Sequence, residues 1–281
     1  MIRLRPNTES AGLLVITVAG ALAFVYPLAA GRAHDHTQAD ALLLAFICAA
    51  SVILLGLALQ THHLSARLLA VLAALVAVDA VLRIPAVIGV AGFSPVFFLM
   101  LVGGFEMGPS FGFAMGALTL LVSAALTAGF GPWLPYQMLA AGWVGMGAGL
   151  LGGLTVGRHS GIRLSALAVY AVVTGFGYGV LLDLWEWPLL LGGGTSPISW
   201  APGLATSELA RRFGAFYLTT SLVYDAFRAG GNLLLVLVAG APVLAALHRF
   251  RLRFLVDWAP AGNMSPNVGA SPRYRAPTGA D

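Results

Sequence analysis

The sequence contains no lysine and a single cysteine, and it has few charged residues. All 15 basic residues are arginines, the cysteine is Cys48, and charged residues make up 9% of the 281 positions. Without a lysine amine the chain cannot use a P-loop lysine or form a Schiff base with retinal or pyridoxal phosphate. A lone cysteine also excludes an internal disulfide and a cysteine-rich metal site.

Apolar side chains dominate instead. Hydrophobic residues make up 59% of the chain, and the mean hydropathy is +0.88. Soluble domains carry about 25% charged residues, so this chain has too few charges to cover a water-facing surface. The composition predicts an all-α polytopic membrane protein in contact with lipid. The arginine excess is expected to set its orientation, and no nucleic-acid partner is predicted.

Eight hydrophobic segments approach the length of about 20 residues that a helix needs to cross a bilayer. The fourth is short, whereas the seventh and eighth are long and are expected to be tilted, broken or extended beyond the lipid. The segments are Gly12–Ala30, Ala41–Gln60, Ala66–Ile88, Ser94–Met107, Ser110–Phe130, Leu134–Val156, Leu164–Leu191 and Phe213–Leu247.

The arginines predict how these segments are oriented. With the N-terminus in the cytoplasm, ten arginines fall on the cytoplasmic side and only Arg32, Arg211 and Arg212 on the outer side, while Arg83 and Arg228 lie within spans. This distribution follows the positive-inside rule. It predicts a multi-pass plasma-membrane protein with both termini in the cytoplasm.

The first segment has a second interpretation. Arg3 and Arg5 precede it and small residues near Ala30 follow it, which is the pattern of a cleavable signal peptide. The apolar run is long for such a signal, so a transmembrane helix is preferred.

Six aromatic residues support this orientation. They are predicted to lie at the outer membrane–water interface, because their rings are apolar with a polar edge. They are Trp133, Tyr136, Trp185, Trp187, Trp200 and Tyr217.

Glycines spaced four residues apart predict close helix packing. One set comprises Gly104, Gly108, Gly112 and Gly116, and a second comprises Gly145, Gly149 and Gly153. Small residues at this spacing allow two helix backbones to approach closely. Pro109 interrupts the first set, so a tight hairpin is expected there.

Charged residues within spans are the candidates for function, because burying charge in a bilayer is costly. Asp79 and Arg83 share one face of the third span. They form either a structural ion pair or a site where Arg83 binds an anionic or polar substrate group. Asp183 and Glu186 also share a face, and they form either a ligand-facing wall or a solvated helix cap.

Asp225, Arg228 and Asn232 form a polar stripe in the eighth span. Because its members can satisfy one another, we interpret it as structural.

The sequence predicts neither a bound metal nor a cofactor. His34, Asp35 and His36 lack a third or fourth fixed ligand for zinc, and His62 and His63 fall on the other side of the membrane. No serine-hydrolase, zinc-protease or Walker motif is present.

Several motifs between Ala66 and Arg253 resemble the substrate-binding S component of energy-coupling factor (ECF) vitamin transporters. The most specific motif is the run Gly131-Pro132-Trp133-Leu134-Pro135-Tyr136-Gln137-Met138. Further similarity lies in Phe93–Leu99, in Gly108–Phe113, in Tyr224–Asn232, and in Pro242 with the later Leu247-His248-Arg249-Phe250.

The resemblance implies a six-helix core at residues 61–258 with its substrate site on the outer side. Residues 1–60 would then be an additional pair of transmembrane helices. Independently of the resemblance, the Pro, Gly, Ser and Ala content of residues 259–281 predicts a disordered cytoplasmic tail. The pocket would lie under the loop Pro85–Ser94. The substrate-binding residues expected on this basis are Arg83, Trp133, Tyr136, Gln137, Asp183 and Glu186.

The resemblance also implies partners. S components bind a vitamin and dock on a transmembrane coupling subunit, which separate cytoplasmic ATPase subunits drive. Ala66, Ala70 and Ala74 resemble the small-residue docking stripe of that family, although Ala73 and Ala77 offer a second register. Cobalamin or a related compound is the substrate implied by the Gly-Pro-Trp motif.

The protein is accordingly expected to bind and transport rather than to catalyse a reaction. Two alternatives remain open from sequence. One is an intramembrane enzyme that acts on a lipid or isoprenoid through Asp183, Glu186 and Asp225. The other is a scaffold that assembles through its glycine faces.

Overall fold

The structure is a computed structural model that describes residues 8–29, 42, 45, 46, 49, 66–84, 94–192 and 194–254. The loop 85–93, the tail from residue 255, the metal-like cluster at 34–36 and most of the second predicted span lie outside these residues.

The described part of the chain is built from α-helices and contains no β-strand, only an isolated bridge between Gly192 and Trp200. The helices in chain order are α1 (Thr8–Ala29), α2 (Ala66–Leu82), α3 (Val96–Met107), α4 (Pro109–Thr127), α5 (Leu134–Leu154), α6 (Ser160–Leu190), α7 (Thr206–Thr220), α8 (Leu222–Leu235) and α9 (Ala241–Phe254), with a π-helical turn at Val236–Gly240.

Four of the described helical segments are long and apolar enough to cross a membrane. They are α4, α5, α6 and the continuous rod Leu222–Leu252, while Ser10–Val25, Leu68–Leu82 and Val96–Met107 are shorter apolar helices. The chain is therefore an all-α polytopic membrane protein, as its composition predicts.

A single residue separates α3 from α4. Gly108 has φ +105°, a conformation that a residue with a Cβ rarely adopts. Pro109 occupies the first position of α4, where its missing N–H has no helical partner to lose. The two helices therefore turn back on each other, as the position of Pro109 predicts.

Glycines bring α4 and α5 into backbone contact. A Cβ added to Gly112 would overlap the carbonyl group of Gly145, and one added to Gly116 would overlap that of Ala141. Gly149 lies equally close to Gly108, but Gly153 has open space around it. The second glycine set therefore packs through its first two members only.

The predicted start of the last span, Phe213, is wrong. Phe213 lies in α7, and the membrane-length helix begins at Leu222. The hydroxyl of Thr220 donates to the carbonyl of Phe216 at 2.7 Å, and the N–H of Ser221 donates to the carbonyl of Tyr217 at 3.0 Å. Hydroxyl groups that bond back to the preceding turn compete with helix continuation, which ends α7 here.

Four of the six aromatic residues predicted to lie at the outer interface are on the inside of the bundle. Trp133 is exposed, but Tyr136, Trp185, Trp187 and Trp200 are all buried inside the bundle. Trp187 donates from Nε1 to the carbonyl of Ile198 at 2.8 Å. The Nε1 of Trp185, by contrast, has no hydrogen-bond partner among the described residues.

Helix α1 packs into this bundle against α5 and α6. Ile16 and Phe24 are buried at 3% and 2% exposure, whereas the opposite face carries exposed residues such as Leu22. The first predicted span is therefore a helix with one face in the core.

Candidate functional site

Arg83 and Gln137 come together at one end of the bundle. Arg83 follows the last turn of α2, and its Nη2 donates to Oε1 of Gln137 on α5 at 2.8 Å. Its Nη1 lies 3.5 Å from the Ser123 hydroxyl on α4. A guanidinium held by neutral partners keeps its charge available for an anionic or polar group.

The alternative interpretation of Arg83, a side-chain ion pair with Asp79, is wrong. Asp79 is fully buried and accepts from Thr119 Oγ1 at 3.4 Å, and its Oδ1 has no hydrogen-bond partner among the described residues. The two residues are joined only through the backbone, from the N–H of Arg83 to the carbonyl of Asp79. Their spacing of four residues predicted that Asp79 and Arg83 share one face, but their side chains form hydrogen bonds with different residues.

An aromatic wall lies beside Gln137. The Tyr136 ring stacks on Trp185 of α6 at a centroid distance of 4.5 Å, and Phe24 of α1 meets Tyr136 edge-on at 5.2 Å. Both wall residues are buried, while Trp133 at the head of α5 remains exposed. Stacked rings with few rotatable bonds form a rigid unit within the bundle.

Tyr178 of α6 lies between Phe97 of α3 and Arg228 of α8. Its ring packs edge-on against Phe97 of α3 at 4.8 Å, and the Arg228 guanidinium lies 5.1 Å from its centroid. Arg83 and Glu186 also act on Tyr178 electrostatically. Residues from α2, α3, α6 and α8 therefore form one connected group.

The polar stripe of α8 joins the same group. Arg228 is paired with Asp225 and also donates to the carbonyl of Gly175 at 3.1 Å. The Tyr217 hydroxyl donates to the other oxygen of Asp225 at 3.0 Å. Asn232 is buried one turn further on, and its amide makes no hydrogen bond within the described residues.

Asp183 and Glu186 lie on the part of α6 that faces these residues. Asp183 is 6% exposed, and its Oδ2 has no hydrogen-bond partner among the described residues. It is within electrostatic range of Asp225 and Arg228. The predicted binding pair and the predicted structural stripe are thus neighbours.

Helix α7 closes this end of the protein outside the membrane-length helices. Glu208 accepts hydrogen bonds from Arg211 and Arg212, and these bonds lower the pKa of its carboxyl group to about 2. Arg212 also donates to the carbonyl of Ser199 at 3.1 Å. These contacts tie α7 to the loop that follows α6.

The alanine stripe lies on the opposite side of α2 from its buried face. Ala70 and Ala74 are exposed, whereas Leu72 and Val76 are buried against α4. The side chain of Ala66 is outside the described residues. Ala73 and Ala77, the second register, are also exposed and line a shallow groove.

A further buried carboxylate, Glu106 of α3, was missed by the sequence analysis. It is 2% exposed and contacts three basic residues, which are Arg163 at 3.3 Å, His248 at 2.6 Å and Arg251 at 3.9 Å. Arg251 also donates to the main-chain oxygen of Glu106 at 2.7 Å.

One signal in the sequence could have revealed Glu106, because it is the only acid in the fourth predicted span and a charge at that depth requires a partner. No sequence signal points to Phe24, Phe97 or Tyr178, because buried aromatic residues are common in any apolar helix.

No group of three or more histidine, cysteine, aspartate or glutamate side chains with the geometry of a metal site occurs in the described ranges. The Arg83 end of the described bundle brings together two arginines, stacked aromatic rings and several carboxylates.

Comparison with known proteins identifies the family. Residues 67–240, more than half of the chain, match the family model described as "ECF transporter, substrate-specific component". No curated protein and no solved structure matches significantly. The matched range contains α2 to α8 and with them Arg83, the Tyr136–Trp185 wall and the Asp225–Arg228 pair. The chain therefore belongs to the substrate-specific components of ECF transporters.

Proposed function

We propose that this protein captures a vitamin, with cobalamin or a related compound as the first candidate, from the outer side of the plasma membrane. Captured substrate then passes inward while the protein is docked on a coupling subunit that separate ATPases drive. Family members are transport subunits rather than enzymes, and the chain is assigned no catalytic step.

One observation carries the proposal. Arg83 bonds to Gln137, and the residue before Gln137 on α5, Tyr136, stacks on Trp185. An arginine with neutral partners and a rigid aromatic surface provide a charged contact and an apolar contact at the same end of the bundle. Vitamins such as cobalamin combine flat apolar parts with polar amide and phosphate groups, which these two surfaces complement.

Asp183 and Glu186 supply the remaining polar contacts of the proposed site. The unpartnered oxygen of Asp183 is available to accept a hydrogen bond from a ligand amide or hydroxyl. A buried acceptor without a partner costs free energy, so a ligand that donates to it gains affinity. Trp133, exposed at the head of α5, would form the rim.

We assign the coupling subunit to the exposed side of α2. Ala70 and Ala74 face away from the core, and small side chains permit close approach of another helix. This leaves the two ends of the bundle free, so that docking and substrate capture use different surfaces.

The domain division at residue 60 also remains a proposal. It separates α1 from the matched family region, but Phe24 contacts Tyr136 of the proposed site. We propose that α1 is retained in the mature protein and supports the aromatic wall from the lipid side.

Native mass spectrometry of the protein purified without added ligand tests the function directly. We expect a bound mass in the range of a water-soluble vitamin, and equilibrium binding of cobalamin in the absence of ATP. If no compound in a panel of water-soluble vitamins binds, the proposed function is wrong.

A further inference from the structure

A cavity of about 340 Å³ lies at the end of the bundle opposite to the Arg83 site. Its polar wall is formed by Glu106, Arg163, His248 and Ser160, and its apolar wall by Leu164 and Leu244 among others. We call it the basic pocket. Arg163 and Trp185 are 22 residues apart on α6, which places the two sites about 33 Å apart at 1.5 Å per residue.

Positive charge exceeds negative charge at this pocket. Arg163 and Arg251 both contact Glu106, and each is a cationic side chain. The single carboxylate of Glu106 balances one of the two, and His248 adds a further positive charge when it is protonated. Glu106 thereby holds the basic side chains in place and leaves a net positive surface.

One donor in the pocket has no acceptor. Arg163 Nε is buried and makes no hydrogen bond with any described residue, although Nη2 of the same guanidinium donates to Glu106. A guanidinium presents several donors in a fixed plane that suits a phosphate group. The free Nε and the positive surplus therefore both favour an anion.

The apolar residues of the pocket favour an anion that carries apolar groups. Leu164 of α6 and Leu244 of α9 lie beside the charged residues, together with Ala241 and Ala245. Because α3 ends at Met107 and α6 begins at Ser160, the pocket opens where helices reach the membrane surface. Basic pockets between helices at this depth suit anionic lipid headgroups.

We propose that the basic pocket binds the phosphate of an anionic phospholipid, with the glycerol and the first part of its acyl chains against the leucines. The volume suits a headgroup rather than a complete lipid, so the chains would extend into the bilayer. This site is independent of the proposed vitamin site and of the transport cycle.

Native mass spectrometry of the full chain in detergent, titrated with phosphatidylglycerol or phosphatidylcholine, tests the proposal. We expect at least one phosphatidylglycerol to be retained and phosphatidylcholine to be lost. Arg163→Gln should weaken phosphatidylglycerol binding about fivefold or more, the effect expected for one arginine near an anionic surface. Arg158→Gln removes the same charge from an exposed turn outside the pocket and should change binding less than twofold.

A second variant covers the case in which Arg163→Gln fails to fold because Glu106 loses a partner. Ala245→Phe fills the pocket without removing any charge and should also abolish lipid retention. Equal retention of the two lipids, or retention that Ala245→Phe leaves intact, would overturn the proposal.

Two further outcomes would reassign the pocket. If inorganic phosphate protects the protein against heat as well as phosphatidylglycerol does, the ligand is a soluble phosphate and not a lipid. If Ala245→Phe abolishes association with the coupling subunit but leaves lipid retention unchanged, the pocket receives a protein partner. Either result contradicts the lipid assignment.

Discussion

Arg83 donates to the side-chain oxygen of Gln137 at 2.8 Å across 54 residues of sequence, from the end of one helix to the first turn of another. This bond holds the guanidinium against α5 through a neutral partner. It is the contact on which the proposed substrate site most depends.

Arg83→Gln should therefore weaken cobalamin binding. Hydrogen bonds to a charged group are worth about 1.5–3 kcal/mol, so we expect a loss of about 10- to 100-fold in affinity. Equilibrium dialysis with purified protein measures it. Arg211→Gln removes an exposed arginine that is bonded to Glu208 and serves as the control. Equal losses in the two variants would indicate a general charge effect and contradict a direct contact.

Phe24→Ala should reduce both stability and affinity, because it removes the ring that supports Tyr136. Truncating a buried phenylalanine costs about 3–5 kcal/mol of folding free energy. Thermal unfolding and cobalamin binding are measured together, with Leu22→Ala on the 67% exposed face of α1 as the control. Normal affinity in Phe24→Ala protein would show that α1 has no part in the site.

Gly112→Ala should destabilise the bundle, because the new methyl group would meet the carbonyl group of Gly145. Overpacking of this kind costs about 1–3 kcal/mol. The midpoint of thermal unfolding should fall for Gly112→Ala but not for Gly153→Ala, where the added methyl has open space. A similar midpoint for both variants would mean that the two helices can separate at little cost.

Ala70→Leu should weaken co-purification with the coupling subunit while cobalamin binding stays unchanged. A larger side chain on the outward face of α2 keeps another helix at a distance. Ala73→Leu tests the second register, since Ala73 lines the groove toward Leu118 and Val122. If only Ala73→Leu disrupts association, the docking stripe is Ala73 and Ala77.

Arg228→Gln separates structure from binding at the polar stripe. Removing one member of a buried ion pair costs about 3–5 kcal/mol, whereas replacing both members costs less. We expect the double variant Arg228→Gln with Asp225→Asn to unfold at a higher temperature than Arg228→Gln alone. If Arg228→Gln leaves the unfolding temperature unchanged but abolishes cobalamin binding, the Asp225–Arg228 pair belongs to the substrate site and is not structural.

Local sequence rules predicted the helices well where glycine and proline mark the boundaries. The break at Gly108 and Pro109 follows directly from backbone geometry. The end of α7 has no such marker, because Phe213, Phe216 and Leu218 continue the apolar run through a boundary that threonine hydroxyls create. Hydropathy alone therefore joined α7 to α8.

The sequence proposed residues for the candidate site, but it did not predict the contacts that those residues make. Periodicity placed Asp79 beside Arg83, since it describes only one helix, whereas Gln137 lies on another helix and was proposed through the family motif. Glu106 shows the same limit more strongly, because its partners Arg163, His248 and Arg251 are 57 to 145 residues away. No spacing rule spans such distances.

Helix α6 runs from one end of the described bundle to the other. Arg163 at its start touches Glu106, Trp185 near its end stacks on Tyr136, and Gly175 and Gly179 between them press against α8. A tilt of α6 about that central contact would move the two ends in opposite directions, as the arms of a lever move about a pivot.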